Sequence, residues 1–328
     1  MNKLLYIIII AVVFNSCSQE NAKKILPGST GKSGELVIVI KKDLWESNVG
    51  DTLRHTLAQA QTALPQPEPI LTLINIPPEG FSNIFQLHRN ILIIDISKKY
   101  TEPEIYVEQE KWANYQLVLN FHAPDKNSFL SYFNENKEKI ISKILIEERN
   151  RISNAQKKNQ EQGIVKKLEK EHKISIVVPE GYTLDVDSAS FVWISFTNAE
   201  IDQGVFVYYY PYIDKSQFLK ESLLYRRNTT LKRYVHGSAP GSFMTTEDLF
   251  PVIYNTYYKS DGSYIAELRG LWKLEKGYMG GPFVSISTID SVYNRIVTVE
   301  GYVFAPNKEK RNLLRQVEAI VHSLVITK

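Results

Sequence analysis

The chain has 328 residues, of which 43% are apolar and 23% charged. Those are globular values, so disordered and collagen-like readings fail. A net charge of +3 is too small for a nucleic-acid footprint, and one cysteine, Cys17, excludes a disulfide framework.

The first element is an export signal. Lys3 precedes an apolar run, Leu4–Phe14, and Asn15-Ser16-Cys17 follows. A membrane-spanning helix needs roughly 20 apolar residues, and this run has the length of a signal-peptide core instead. Ser16 is small enough for a cleavage site, though Asn15 is looser than the usual lipobox residue. Segment 1–17 is therefore expected to be a lipoprotein signal peptide that leaves Cys17 as the lipidated first residue. Each buried methylene contributes about 0.8 kcal/mol, so several acyl chains anchor firmly. The expected location is the cell envelope, at the outer membrane, facing the periplasm or the surface. The polar run 18–33 (SQENAKKILPGSTGKS) reads as a flexible tether.

From 34 to 146 strands alternate with helices, as expected of an N-terminal α/β lobe. Glu35–Ile40 is a continuous apolar run, the pattern of a strand buried on both faces. Thr52–Leu64 places Leu53, Leu57, Ala60 and Leu64 on one helical face and stops at Pro65. Leu71–Ile76, Ile91–Ile96 and Gln116–Phe121 are further strands. A long helix starts near Ser128 and carries Phe129, Phe133, Ile140 and Ile144 at helical spacing. Residues 147–173 are rich in Glu, Lys and Arg and predict a solvated helical connector.

The remainder, 174–328, is a β-rich lobe that holds 14 of the 19 tyrosines. Strands are expected at Ile174–Val178, Phe191–Phe196, Val205–Tyr210, Val252–Tyr258, Tyr264–Leu271, Phe283–Ile289 and Ile296–Phe304. Asp214 is an N-cap for a helix carrying Phe218, Leu219, Leu223 and Leu224, and Asp261-Gly262 is a hairpin turn. Ala305-Pro306-Asn307 precedes a last helix with Leu313, Val317, Ile320 and Leu324 on one face. The fold class is α+β with mixed α/β layers: two lobes, each a mostly antiparallel or mixed sheet with packed helices, joined by a long polar helix. Ile76–Phe81 parallels Val178–Tyr182, and Phe121–Lys126 parallels Val303–Lys308. This is the punctuation of an internal duplication, or of common turn chemistry.

No stretch carries a catalytic signature. Gly28–Ser33 (GSTGKS) ends like a phosphate-binding loop, but Leu26 replaces the first glycine and the loop precedes a strand. The six histidines have no metal-ligand spacing, so no metal and no cofactor is expected. Gly237–Gly241 is out of register for a nucleophile elbow. Asp185 and Asp187 share one face if their segment is a strand, as paired carboxylates or as solvated edge charges. Lys220, Arg226, Arg227, Lys232 and Arg233 form a basic helix that can face anionic headgroups or water.

The section 269–285 is the nominated binding surface. Gly270, Gly277, Gly280 and Gly281 permit close backbone approach. Trp272 and Tyr278 offer flat faces, and Arg269 with Asp290 offers an ion pair. The bland alternative, a glycine-containing turn with Trp272 in the core, carries more weight.

Two resemblances follow from these stretches. Residues 174–328 are similar in element order to the PsbP/Mog-one type of α-β sandwich, a likeness of fold only. Gly34–Trp45, His88–Ile96, Tyr209–Lys215, Arg269–Trp272 with Met279–Ser285, and Phe304–Ala319 resemble a Bacteroidetes family of lipoproteins, domain of unknown function 4837. The resemblance implies lipidation and an envelope location and brings no catalytic residue. The function expected is non-catalytic binding or assembly support for another envelope protein or polymer. The rivals are a hydrolase of envelope polymer and a small-ligand-binding lipoprotein. A buried carboxylate pair between the lobes would favour the hydrolase, an exposed aromatic patch the binding reading, and an inter-lobe pocket above roughly 300 Å³ the ligand carrier.

Overall fold

The computed structural model describes residues 25–327, so the expected signal peptide and Cys17 lie outside the described residues. The first lobe is a five-stranded mixed sheet in the order β2-β1-β3-β5-β4. Its strands are β1 (Glu35–Val39), β2 (Thr72–Ile76), β3 (Asn90–Ile96), β4 (Glu104–Gln109) and β5 (Leu117–Ala123). Four run parallel, and β4 closes one edge antiparallel to β5. The sequence reading missed β4 because an edge strand, with Tyr106 and Val107 exposed, has no apolar run to announce it.

Two helices cover one face of this sheet, α1 (Asn48–Leu57) and α2 (Lys126–Gln156). Leu36, Ile38 and Phe121 pack there with Leu53, Phe129 and Phe133. Val37, Val39 and Ile91 pack beneath Phe81 and Trp112 on the other face. Burial on both faces is why β1 reads as unbroken apolar sequence.

The second lobe is an antiparallel sheet in the order β10-β12-β13-β14-β9-β8-β7, with β11 also pairing β12. Its strands are β7 (Thr183–Ser188), β8 (Phe191–Thr197), β9 (Asp202–Pro211), β10 (Phe243–Thr246), β11 (Ile253–Tyr258), β12 (Tyr264–Glu275), β13 (Gly280–Asp290) and β14 (Arg295–Phe304). Short β6 (Ile174–Ser175) and β15 (Val325–Ile326) form a separate ribbon. Helix α3 (Lys220–Tyr234) packs Leu223 and Leu231 on one face, against Phe206 and Phe283. Helix α4 (Arg311–Val321) packs Leu314, Val317 and Ile320 on the other, against Val284 and Val299.

Several expectations need correction. The helix expected at Thr52–Leu64 is Asn48–Leu57, started by Ser47 accepting from Val49 N at 3.3 Å. Leu64 leaves it to join the core of the second lobe. Residues of the expected tether lie along the body: Thr30 N donates to Leu87 O at 2.8 Å, and Asn114 N to Pro27 O at 2.8 Å. Helix α2 continues through the expected connector to Gln156, with Glu148 and Arg151 buried because each is paired. The last helix starts at Arg311, four residues past the Asn307 turn. The shared punctuation does not reflect a shared topology, since one sheet is mostly parallel and the other antiparallel.

Candidate functional site

The lobes meet where α4 lies against α2 and the chain around Glu68. On α4 two stripes run at the same helical period. Leu313, Val317, Ile320 and Leu324 face the sheet of their own lobe, whereas Arg311, Arg315, Glu318 and His322 turn toward the seam. Spacings of four, three and four residues keep such side chains on one face. That second stripe was readable in the sequence and was overlooked, because charged residues on a helix are by default a solvated face.

The seam begins with a cap supplied by the other lobe. Glu68 accepts from the backbone N–H groups of Lys310 (2.6 Å) and Arg311 (2.8 Å), the first turn of α4. A carboxylate there meets the positive end of the helix dipole and two N–H groups that have no partner within the helix. Arg311 then donates to Pro69 O and Thr72 Oγ1, and Arg315 to Ile70 O.

Beside these contacts lies a cavity of about 490 Å³ between the lobes. Ile70, Ile141 and Leu145 wall it on the first lobe and Ile253 on the second; Arg149, Arg269, Arg315, Glu267 and Glu318 form its charged floor. Arg269 holds both carboxylates, with Nη2 2.7 Å and Nη1 3.2 Å from Glu318 and Nε on Glu267. Arg149 reaches Glu318 from α2 at 2.8 Å. The second Glu267 oxygen takes Tyr257 OH at 3.2 Å and faces His322 Nε2 at 3.4 Å.

Burial pushes the Glu267 carboxyl up, but the Arg269 guanidinium and His322 outweigh it and hold it down at about 2. Burial opposes ionisation of Glu318 too, and Arg269 with Arg149 keeps it well below the usual carboxylate range. This is the buried carboxylate pair that would have favoured a hydrolase. Held ionised, with every oxygen engaged, neither member can supply the proton of a general acid.

A second cavity at the seam, of about 460 Å³, is lined by Tyr182, Phe196, Gln156 and Gln316 together with Arg89 and Arg151. Glu148 lies beneath. It accepts from Ser33 Oγ (2.7 Å), Gly34 N (3.0 Å) and Asn90 Nδ2 (2.9 Å), and Arg89 sits 3.1 Å away. Burial raises its affinity for a proton, yet Arg89 and Arg151 prevail and keep it ionised. The network ties the chain at 33–34 to α2.

Of the nominated surface, Arg269 alone belongs to the cavity. Trp272 is 2% exposed, stands edge-on to Tyr302 and donates to Val303 O, so it is core. Asp290 pairs with Arg295 at 2.7 Å rather than with Arg269. Tyr278 projects fully into solvent from the β12–β13 turn. Arg269 is mostly buried, a correction to its expected exposure. The glycines serve strand packing: a Cβ on Gly281 would come within 2.0 Å of Val303 O, and one on Gly270 within 2.9 Å of the Phe283 ring. Strand spacing in sequence cannot tell an outward aromatic from an inward one when both faces are covered.

Other nominated groups disperse. Arg227, placed in the basic face, is buried in a bidentate pair with Glu300 at 2.7 and 2.8 Å. A bulge after Leu184 separates Asp185, which binds Ser195 and Thr183, from Asp187. Asp187 meets His172 at 2.8 Å beside Glu171, the kind of trio that can hold a metal. The Lys167 ammonium already stands 2.8 Å from Asp187 and 3.1 Å from Glu171, and His172 Nδ1 faces Tyr209 OH.

Residues 161–323 match the family described as "Domain of unknown function (DUF4837)", and residues 29–157 match "Domain of unknown function (DUF8532)". The resemblance read from the sequence thus holds for the second half. Gly34–Trp45 and His88–Ile96, read with it, fall within the second match, and the two matches meet at the loop after α2. No curated protein matches the chain. Among solved structures it is similar to the Ran-binding protein Mog1p of Saccharomyces cerevisiae, at 10% identity over 48% of this chain and 91% of that one, with a TM-score of 0.32. It is also similar to LpqN of Mycobacterium tuberculosis, a protein involved in cell envelope biogenesis, at 14% identity over 47% of this chain and 83% of that one, with a TM-score of 0.29. A STAR-related lipid transfer protein from Xanthomonas axonopodis follows at 8% identity over 44% and 96%, with a TM-score of 0.23. No helix among the described residues is long and apolar enough to cross a membrane.

Proposed function

We propose that this protein is an envelope lipoprotein, anchored through Cys17 to the outer membrane, that works by binding in the cleft between its two lobes. The anchor rests on the signal-like run ending at Cys17. The binding role rests on one observation: the inter-lobe cavity of about 490 Å³ has a charged floor whose carboxylates are locked in ion pairs. Such a floor holds a fixed electrostatic field and moves no proton, which suits recognition better than hydrolysis. Its volume falls in the range of small-ligand sites. The occupant is a small envelope molecule or the exposed end of a larger envelope component.

Two experiments test this. Cys17→Ser should abolish incorporation of radiolabelled palmitate; continued labelling would refute the anchor. With the Cys17 thiol consumed by lipid, a cysteine placed at Asn255 on the cleft rim carries a photo-crosslinker as a unique label. Irradiated envelopes should give an adduct from Asn255 and none from exposed Lys98, outside the cleft. Equal adducts from both positions would refute the cleft.

A further inference from the structure

The inter-lobe cavity has cationic capacity left over once its internal pairs are counted. Glu318 Oε1 takes Arg269 and Arg149, and Oε2 takes Arg269 again. Glu267 Oε1 takes Arg269, and Oε2 takes Tyr257 with His322 beside it. Among the described residues neither floor carboxylate makes a hydrogen bond or a close ion pair with Arg315, although Glu318 and Glu148 are near enough to favour its charge. Arg315 is 7% exposed, and its one hydrogen bond is to a neutral acceptor, Ile70 O. Its Nη1, packed over Gly34, and the Nε of Arg149 are buried without a hydrogen-bond partner among the described residues.

Across the whole seam the imbalance persists. Arg89, Arg149, Arg151, Arg269, Arg311 and Arg315 meet there, against Glu68, Glu148, Glu267 and Glu318. Buried guanidinium groups are ordinarily matched by anions, because an unpaired buried charge is costly. Burial and neighbouring Arg311 pull the Arg315 guanidinium down to about 10, which still leaves it charged at neutral pH. Glu138 stands at the exposed mouth, where water screens it.

Resting on the cleft reading above, we infer that the missing counter-charge is the ligand's: the cavity takes a small organic anion, a carboxylate or a phosphate monoester. A guanidinium recognises either oxyanion. The rest of the molecule is uncharged and partly apolar. It lies along Ile70, Ile141 and Leu145, and its polar atoms face the amides of Gln61 and Asn255 at the rim.

The test is calorimetric titration of the purified full-length protein, in detergent, with three probes: N-acetyl-leucine, its uncharged amide, and inorganic phosphate. N-acetyl-leucine or phosphate should bind at least tenfold more tightly than the amide, and which of them does so identifies the oxyanion. Arg315→Gln should weaken that binding tenfold or more. Should Arg315→Gln fail to fold, Ser142→Trp on the exposed rim, which fills the cavity without touching the floor, should weaken it equally. Anion binding that survives Ser142→Trp, or no anion binding at all, overturns the inference. Equal binding of the amide and the acid overturns the charge argument while leaving the cleft as the binding site.

Discussion

Glu68→Ala is the sharpest perturbation of the two-lobe arrangement. Glu68 sits in a proline-framed loop, Pro67-Glu68-Pro69, which a bridge between Ala60 and Pro69 holds in place. Its carboxylate is buried and takes the two N–H groups that open α4, at 2.6 and 2.8 Å. Truncation strands both donors away from water. An unpaired buried amide costs about 1–3 kcal/mol, and a lost cap typically about 1 kcal/mol. The combined loss should be about 2–4 kcal/mol, a large part of an ordinary stability of about 5–15 kcal/mol. Glu68→Gln keeps one acceptor oxygen and should lose about half as much. Urea denaturation measures the change, with exposed Glu79→Ala as the control. Amide hydrogen exchange at 310 and 311 should accelerate in parallel. If Glu68→Ala unfolds within about 0.5 kcal/mol of the parent and leaves that exchange unaltered, the cap does not join the lobes.

The remaining expectations are brief. Glu267 is depressed to about 2 in the fold, so its stabilisation is complete above its unfolded value near 4.5 and fades as pH falls through about 2. Acid denaturation followed by fluorescence should therefore have a shallower low-pH limb in Glu267→Gln. Arg227→Met strands Glu300 in the core and should cost about 3–5 kcal/mol by denaturant titration, with Arg227→Met/Glu300→Leu recovering most of it. Trp272→Ala should cost about 3–5 kcal/mol, while Tyr278→Ala, at a solvent-exposed turn, should change the melting temperature little. Trypsin should cut first at Lys157 or Lys158, both exposed at the end of α2, and spare Arg151, which is buried against Glu148. An earlier cut at Arg151 would contradict the packing described.

The sequence by itself determined the elements with strong local signatures. The apolar run at Glu35–Ile40 could only be a strand covered on both faces, and the stripe Leu313–Leu324 could only be a helix on a sheet. Asp214 announced a helical start through short-range hydrogen bonds that the local chain can form alone, though the turn it caps is the short 3-10 helix Lys215–Phe218 and α3 begins separately at Lys220. The export signal proposed to end at Cys17 rests on a local pattern too. What tertiary structure decided was the fate of the buried charges. Arg269 read as an exposed anchor, Arg227 as a headgroup contact and Arg151 as a solvated connector, yet all three are enclosed. A charged side chain is buried only when a partner arrives to compensate it, and here the partners stand 49, 73 and 3 residues away. Even the close pair, Glu148 and Arg151, is enclosed only because Asn90, Ser33 and the backbone at Gly34 complete its hydrogen bonds from across the lobe. Glu68 makes the same point at the greatest range, since the helix it caps begins 243 residues later. Local sequence encodes what the backbone can satisfy within a turn or a strand, and the folded chain alone decides which charges find their partners.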